Sequence, residues 1–90
     1  MQESFYQKFR KSLDQHHQWP SVYLFKFIVP DNPLALSRVQ ALFHEKTQLQ
    51  YKKSIKGNYI SVSGKELMMN AQEVISRYHK AEKIEGIVML

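Results

Sequence analysis

Two groups of residues in this chain have types and spacings that could do chemistry. The first is basic. Between Lys46 and Lys65 the chain carries five lysines and no carboxylate, whereas the remainder balances eight basic against eight acidic side chains. The net charge of +5 therefore resides in one segment. Lys52, Lys53 and Lys56, with Lys26 and Tyr59 on neighbouring strands, make a candidate face for an anion or a nucleic acid, because clustered ammonium groups attract phosphate and carboxylate. A solvated hairpin kept soluble by its lysines is the plain alternative. The second group is Asp31-Asn32-Pro33-Leu34. Here extended chain turns into helix, and a helix N-terminus presents unpaired N–H groups and a positive dipole end to a carboxylate. It is a candidate ligand corner, against the alternative of an ordinary capped helix start.

Other chemistry finds little support in the residue types. There is no cysteine, so no disulfide or thiolate-metal framework can form. His16, His17, His44 and His79 show no metal-ligand spacing and read as surface histidines. No serine sits in a Gly-x-Ser-x-Gly frame, and there is no phosphate-binding Gly-rich loop among only three glycines, Gly57, Gly64 and Gly86. An enzyme, a metal and a cofactor are not expected. No apolar run approaches the ~18 residues of a membrane span, and Met1-Gln2-Glu3-Ser4 opens a polar segment without a signal-peptide core. The chain reads as one complete cytoplasmic domain over residues 1–90, with no membrane association.

The elements that must position these residues are organised around the longest apolar run, Trp19 to Pro30, which prolines bracket. It predicts a strand with Tyr23, Phe25, Phe27 and Val29 facing helices and Val22, Leu24, Lys26 and Ile28 facing away. Before it, Phe5, Phe9 and Leu13 recur at helical spacing and predict a helix over 5–17, with Ser4 and Gln7 as a capping box. After it, Asn32 and Pro33 start a helix that Leu36, Val39, Leu42 and Phe43 carry to about Lys46. Leu49, Tyr51 and Ile55 then alternate with polar residues as in a half-buried strand, Lys56-Gly57-Asn58 turns, and a return strand runs to Gly64 with Ile60 and Val62 inward. A bulge near Gly64 would put Leu67 and Met69 on the inner face. Asn70 with Glu73 opens a helix over 71–81, and Ile84 to Leu90 forms the last strand.

After the first helix the order is β-α-β-β-α-β, which predicts an α+β, ferredoxin-like sandwich: a four-stranded antiparallel sheet in order 4-1-3-2 with two helices on one face. The other face would be open, its apolar part covered by the N-terminal helix or by another subunit. The last strand is a weakly protected edge, so either a homodimer through that edge or the open face, or a monomer whose edge is blunted by shortness and Gly86, is expected.

Three resemblances bear on this plan. Asp31, Pro33, Leu36 and Val39 fit the Asp-x-Pro-Gly-x-Leu-x-x-Val corner of ACT regulatory domains, with Leu34 in place of the glycine. That resemblance implies an ACT-like fold and a small effector at the corner. Lys56-Gly57-Asn58-Tyr59-Ile60-Ser61-Val62 begins like the third-strand signature of RNA-recognition motifs, but Asn58 and Ile60 occupy the base-stacking positions. Ser54-Ile55-Lys56-Gly57-Asn58-Tyr59-Ile60-Ser61-Val62-Ser63 and the closing Lys83 to Leu90 resemble the small bacterial YbeD-like family, as does Trp19-Pro20 before the first strand. This implies an ACT-like α+β fold, a bacterial cytosolic protein and a non-catalytic regulatory or interaction module engaging a small effector or a protein partner. The alternative is nucleic-acid binding by the lysine-rich hairpin.

Overall fold

The computed structural model describes residues 3–90; the polar start at Met1-Gln2 lies outside them. Seven elements follow in order: α1 (Glu3–His16), β1 (Ser21–Pro30), α2 (Pro33–Gln40), β2 (Gln50–Lys53), β3 (Tyr59–Met68), α3 (Ala71–Ala81) and β4 (Val88–Met89). The strands form one sheet in the order β2-β3-β1-β4, and every neighbouring pair is antiparallel. The helices gather on one face and leave the other bare. This is an α+β open-sheet architecture, compatible with a ferredoxin-like fold.

The alternation in β1 decides the layering. Phe25, Phe27 and Val29 are fully buried under the helices, while Val22, Leu24 and Lys26 are exposed on the far face. β3 pairs with β1 along its whole length, from Ser21 opposite Met68 to Pro30 opposite Tyr59. The expected bulge at Gly64 is absent. The alternation runs straight through, so Gly64, Glu66 and Met68 face inward and Lys65 and Leu67 face outward. Glycine serves close packing here: a Cβ at Gly64 would stand 2.8 Å from Leu49 Cδ2 and 3.0 Å from Phe43 Cε1.

Both sheet-covering helices start as expected. Asn32 caps α2, its side chain accepting from the Ala35 N–H at 2.8 Å, with Pro33 at the first helical position. Asn70 caps α3 by accepting from Glu73 N–H at 3.0 Å, and Glu73 reaches back to accept from Met69 N–H at 3.1 Å. The end of α2 departs from expectation. It stops at Gln40 rather than near Lys46, and a series of turns carries Phe43 into the core. The cause is Glu66. Its carboxylate accepts from His44 N–H and from Thr47 Oγ1, both at 2.8 Å, and holds this segment as turns against the sheet.

Four further expectations are corrected. β2 spans only four residues, all exposed, and Ile55 is fully exposed in the turn, because the two turns of α2 do not reach over this edge. β4 is two residues long instead of seven: residues 82–87 are in turns, Ile84 is buried, and Gly86 takes φ +77°. Ser4 lies inside α1 instead of capping it. Nor does α1 cover the open face of the sheet. It packs on α3, with Tyr6 and Leu13 buried, Phe9 edge-on to Tyr78 at 5.4 Å, and the Tyr6 hydroxyl donating to Glu82 at 2.9 Å.

Candidate functional site

The outward positions of the strands form the candidate site. Register fixes its layout. On β1 the outward residues are Val22, Leu24, Lys26 and Ile28; opposite them on β3 stand Leu67, Lys65, Ser63 and Ser61. Gln50 and Lys52 on β2 continue the rows of Ser63 and Ser61, and Val88 on β4 flanks Ile28. Leu90 N–H donates to Lys26 O at 3.1 Å, which brings Leu90 beside Lys26. Among the described residues no carboxylate occupies an outward strand position.

The face is mixed. Val22, Leu24 and Leu67 form an apolar patch at one end of the β1–β3 pair, Leu90 and Val88 add apolar surface at β4, and Lys26 stands on β1 between Leu24 and Ile28; Val22, Leu24, Leu67 and Leu90 are 53–61% exposed and Val88 is half exposed. The β3–β2 side carries Lys65, Lys52 and the hydroxyls of Ser61 and Ser63. A trough of about 1030 Å³ runs over this side, lined among others by Leu24, Lys26, Gln50, Lys52, Ser63 and Lys65. The lysines lie on three different strands, Lys65 on β3, Lys26 on β1 and Lys52 on β2, and in three different rows. Lys65 is opposite Leu24, Lys26 is two residues further along β1, and Lys52 stands in the row of Ile28, two further again. Rows two residues apart are separated by about 6.8 Å along the strands.

Of the expected basic set, therefore, Lys26 and Lys52 come together here. Tyr59 joins them at the far end of the face, opposite Pro30 and about half exposed. Lys53 does not: it has the opposite parity and pairs with Asp31 at 3.5 Å. Lys56 lies in the hairpin turn, where Ser54 N–H donates to Tyr59 O at 2.9 Å and Gly57 takes φ +75°. Lys65 is the member that the expected bulge hid; continuing the period-two alternation past Gly64 would have found it.

At the corner, Asp31 is engaged by Lys53, the Asn32 side chain is occupied in capping, and Pro33 opens α2. Leu34 is 60% exposed at a smaller cavity of about 320 Å³, shared with Arg38 and Gly86. The corner thus keeps its own polar groups busy with each other.

Beneath the open face, on the helix side, sits an ion pair that composition did not reveal. Arg77 Nη2 donates to Glu66 Oε1 at 2.7 Å, and its guanidinium lies 4.7 Å from the centre of the Phe25 ring. Burial disfavours the Glu66 charge, but the His44, Thr47 and Arg77 hydrogen bonds and the Arg77 charge outweigh it and hold the carboxyl below its ordinary value. Nearby, the Tyr78 hydroxyl donates to Leu90 O at 3.2 Å and lies 3.2 Å from the Tyr23 hydroxyl. Burial first, and Tyr23 second, push the Tyr78 phenol far above its ordinary value, so it remains a donor.

What this arrangement offers is a binding surface: exposed ammonium groups, small hydroxyls and apolar side chains around a trough on one sheet face. Among the described residues no cluster of three or more histidine, aspartate or glutamate side chains could hold a metal ion, and no helix is long and apolar enough to cross a membrane. Fold and site together define an α+β protein with a bare basic–apolar sheet face. No protein-family model, no curated protein and no solved structure matches the chain.

Proposed function

We propose that this chain is a non-catalytic interaction module, bacterial and cytoplasmic, whose partner docks on the open face of the sheet. The observation that carries this is the face itself: contiguous exposed apolar residues beside three lysines, with no carboxylate among the outward strand positions. A sheet face of this composition is ordinarily covered by a second layer, and α1 is engaged elsewhere. The YbeD-like hairpin and the ACT-like corner support a regulatory role on the ferredoxin-like plan. In the corner, Leu34 and the mutual pairing of Asp31 and Lys53 weigh against a small effector there and in favour of the sheet. A homodimer would use the β4 edge, since two open faces brought together would oppose like charges.

The test is site-specific photo-crosslinking in cells. A crosslinker at Leu24 or Ser63 is expected to give a discrete protein adduct that Lys26→Glu/Lys65→Glu abolishes. Adducts formed equally from the outer side of α1, or none from the sheet, would refute the docking face. Nucleic-acid binding is the second reading, favoured by Lys26, Lys52 and Tyr59 sharing one face. Its weakness is that the central outward positions carry Ser61, Ser63, Leu24 and Lys26 instead of stacking aromatics. Salt-sensitive retention of RNA, lost in Lys26→Glu/Lys52→Glu/Lys65→Glu, would establish it.

A further inference from the structure

We infer that the open face holds a site for a compact polyphosphate, a small molecule carrying two or three linked phosphate groups, centred on Ser63 and ringed by Lys26, Lys52 and Lys65. This goes beyond the protein-docking reading: it concerns a small ligand on the same face and has its own test.

Register builds the ring. Lys26 on β1 stands directly opposite Ser63, so their Cβ atoms lie about 5 Å apart. Lys65 is two residues along β3, about 6.8 Å away. Lys52 on β2 comes two residues after Gln50, the other cross-strand neighbour of Ser63, and sits diagonally about 7–8 Å away. The three lysines approach one serine from three strands, and their flexible four-carbon stems bring the ammonium groups within reach of one anion above it. All three are exposed, and among the described residues none has an ion pair or a side-chain hydrogen bond. The Ser63 hydroxyl has no partner among the described residues either, whereas the Ser61 hydroxyl is spent on Lys52 O at 3.3 Å. No carboxylate at an outward strand position neutralises the group. Three like charges gathered round one trough repel one another, and a multivalent anion relieves that repulsion.

Chemistry selects phosphate. The outward strand positions carry no arginine and so lack the planar fork that grips a carboxylate with two bonds; lysine acts as a point charge on phosphate oxygens. Shape selects a compact ligand. The lysines form a triangle across three strands instead of the track that a nucleic-acid backbone follows. Among outward strand positions the one aromatic on which a base could stack, Tyr59, lies at the far end of the face, opposite Pro30. The trough of about 1030 Å³ has room for the rest of an ester, whose body would rest on Leu24 and Leu49.

The probe is inorganic triphosphate, titrated into the intact chain at constant ionic strength and followed by calorimetry and amide chemical-shift mapping. Expected is saturable one-to-one binding with shifts centred on Lys26, Lys52 and Ser61–Lys65. Lys26→Gln, Lys52→Gln and Lys65→Gln should each weaken it by roughly three- to fivefold, and Ser63→Ala by about threefold. Lys56→Gln, the same loss of charge in the hairpin turn, should leave it within about twofold. An unchanged melting temperature checks that each variant is folded. A second titration reads the source of the phosphates: a nucleoside triphosphate that binds more tightly and adds shifts at Leu24 and Leu49 identifies an ester, and equal binding identifies inorganic polyphosphate. An equal loss in Lys56→Gln, or an effect that sulfate reproduces, would overturn the site in favour of general screening. Oligouridylate bound more tightly than triphosphate, with shifts spreading to Tyr59, would overturn it in favour of nucleic acid. Absence of a saturable shift at Ser63 would also overturn it and would leave the protein-docking reading untouched, because the crosslinked adduct decides that one.

Discussion

Removing the Glu66 carboxylate should destabilise the protein far more than any other single loss of charge described here. In the folded chain Glu66 accepts from His44 N–H at 2.8 Å, Thr47 Oγ1 at 2.8 Å and Arg77 Nη2 at 2.7 Å, with 9% of its side chain exposed against 17% for Arg77. Glu66→Ala leaves the Arg77 guanidinium, packed beside the Phe25 and Phe43 rings, without its counter-charge, and Arg77 Nη1 already lacks a hydrogen-bond partner among the described residues. Breaking a buried pair from one side costs 3–5 kcal/mol in general, and the partial exposure of Arg77 points to the lower end, about 3 kcal/mol. In a domain of this size that lowers the melting temperature by roughly 15 °C. Urea denaturation followed by circular dichroism measures it. The double variant Glu66→Leu/Arg77→Met, which removes both charges and keeps volume, should recover most of the loss, to within about 1.5 kcal/mol of the native chain. A single-variant loss below about 1 kcal/mol, or a double variant no better than the single, would refute the account. The amides of His44 and Thr47 should exchange faster in Glu66→Ala, because the carboxylate is what fixes those turns.

The same group sets a pH dependence. The folded-state pKa of Glu66 lies below its ordinary value of 4.5, so the unfolded chain takes up the proton first as pH falls. The stabilisation is complete above about pH 4.5 and is lost as pH drops through the folded value; acid unfolding monitored by tryptophan fluorescence should be shallower in Glu66→Gln. Gly57→Ala should cost about 1 kcal/mol through its positive φ alone, since a Cβ there meets nothing within 4 Å. Gly64→Ala should cost about 1–2 kcal/mol for the opposite reason, crowding of Leu49 and Phe43 at ordinary backbone angles; equal rescue of both sites by a D-alanine replacement would contradict this distinction. Asn70→Ala should cost about 1 kcal/mol by leaving the Glu73 N–H without its cap, measured by chemical denaturation.

What could be read from residue order alone was whatever local periodicity decides. The two faces of β1 follow from strict alternation of aromatic and smaller residues, and α3 carries its apolar stripe within its own eleven residues and its cap, Asn70, immediately before them. The errors arose where a distant residue overrode the local pattern. Gly64 looked like a place for a bulge, but its missing side chain makes room for Phe43 and Leu49, and that misreading reversed the parity of Lys65, Glu66 and Leu67 together. One side chain, Glu66, thereby disappeared from the helix side and could not be seen as the reason α2 stops at Gln40. The candidate site was half legible for the same reason: Lys26 and Lys52 were assigned to the open face, Lys65 was not, and Lys53 was grouped with them although register turns it toward Asp31. The seat of α1 was beyond local pattern altogether, because a narrow apolar stripe states that a helix must pack without stating on what.

That seat has a consequence for how the molecule breathes. The ring contacts of α1 go to Tyr78 and His79, and its long-range side-chain bonds go to Gln72 and Glu82, all on α3 or its end. α1 is thus fastened to one helix, while β1 and β3 are laced together over ten residue pairs. Opening of α1 need not disturb the sheet, so its amides belong to a less protected cooperative unit than those of Phe25 to Val29. Each such opening would uncover the outer side of α3, the side opposite the sheet, and leave the pairing of β1 with β3 intact.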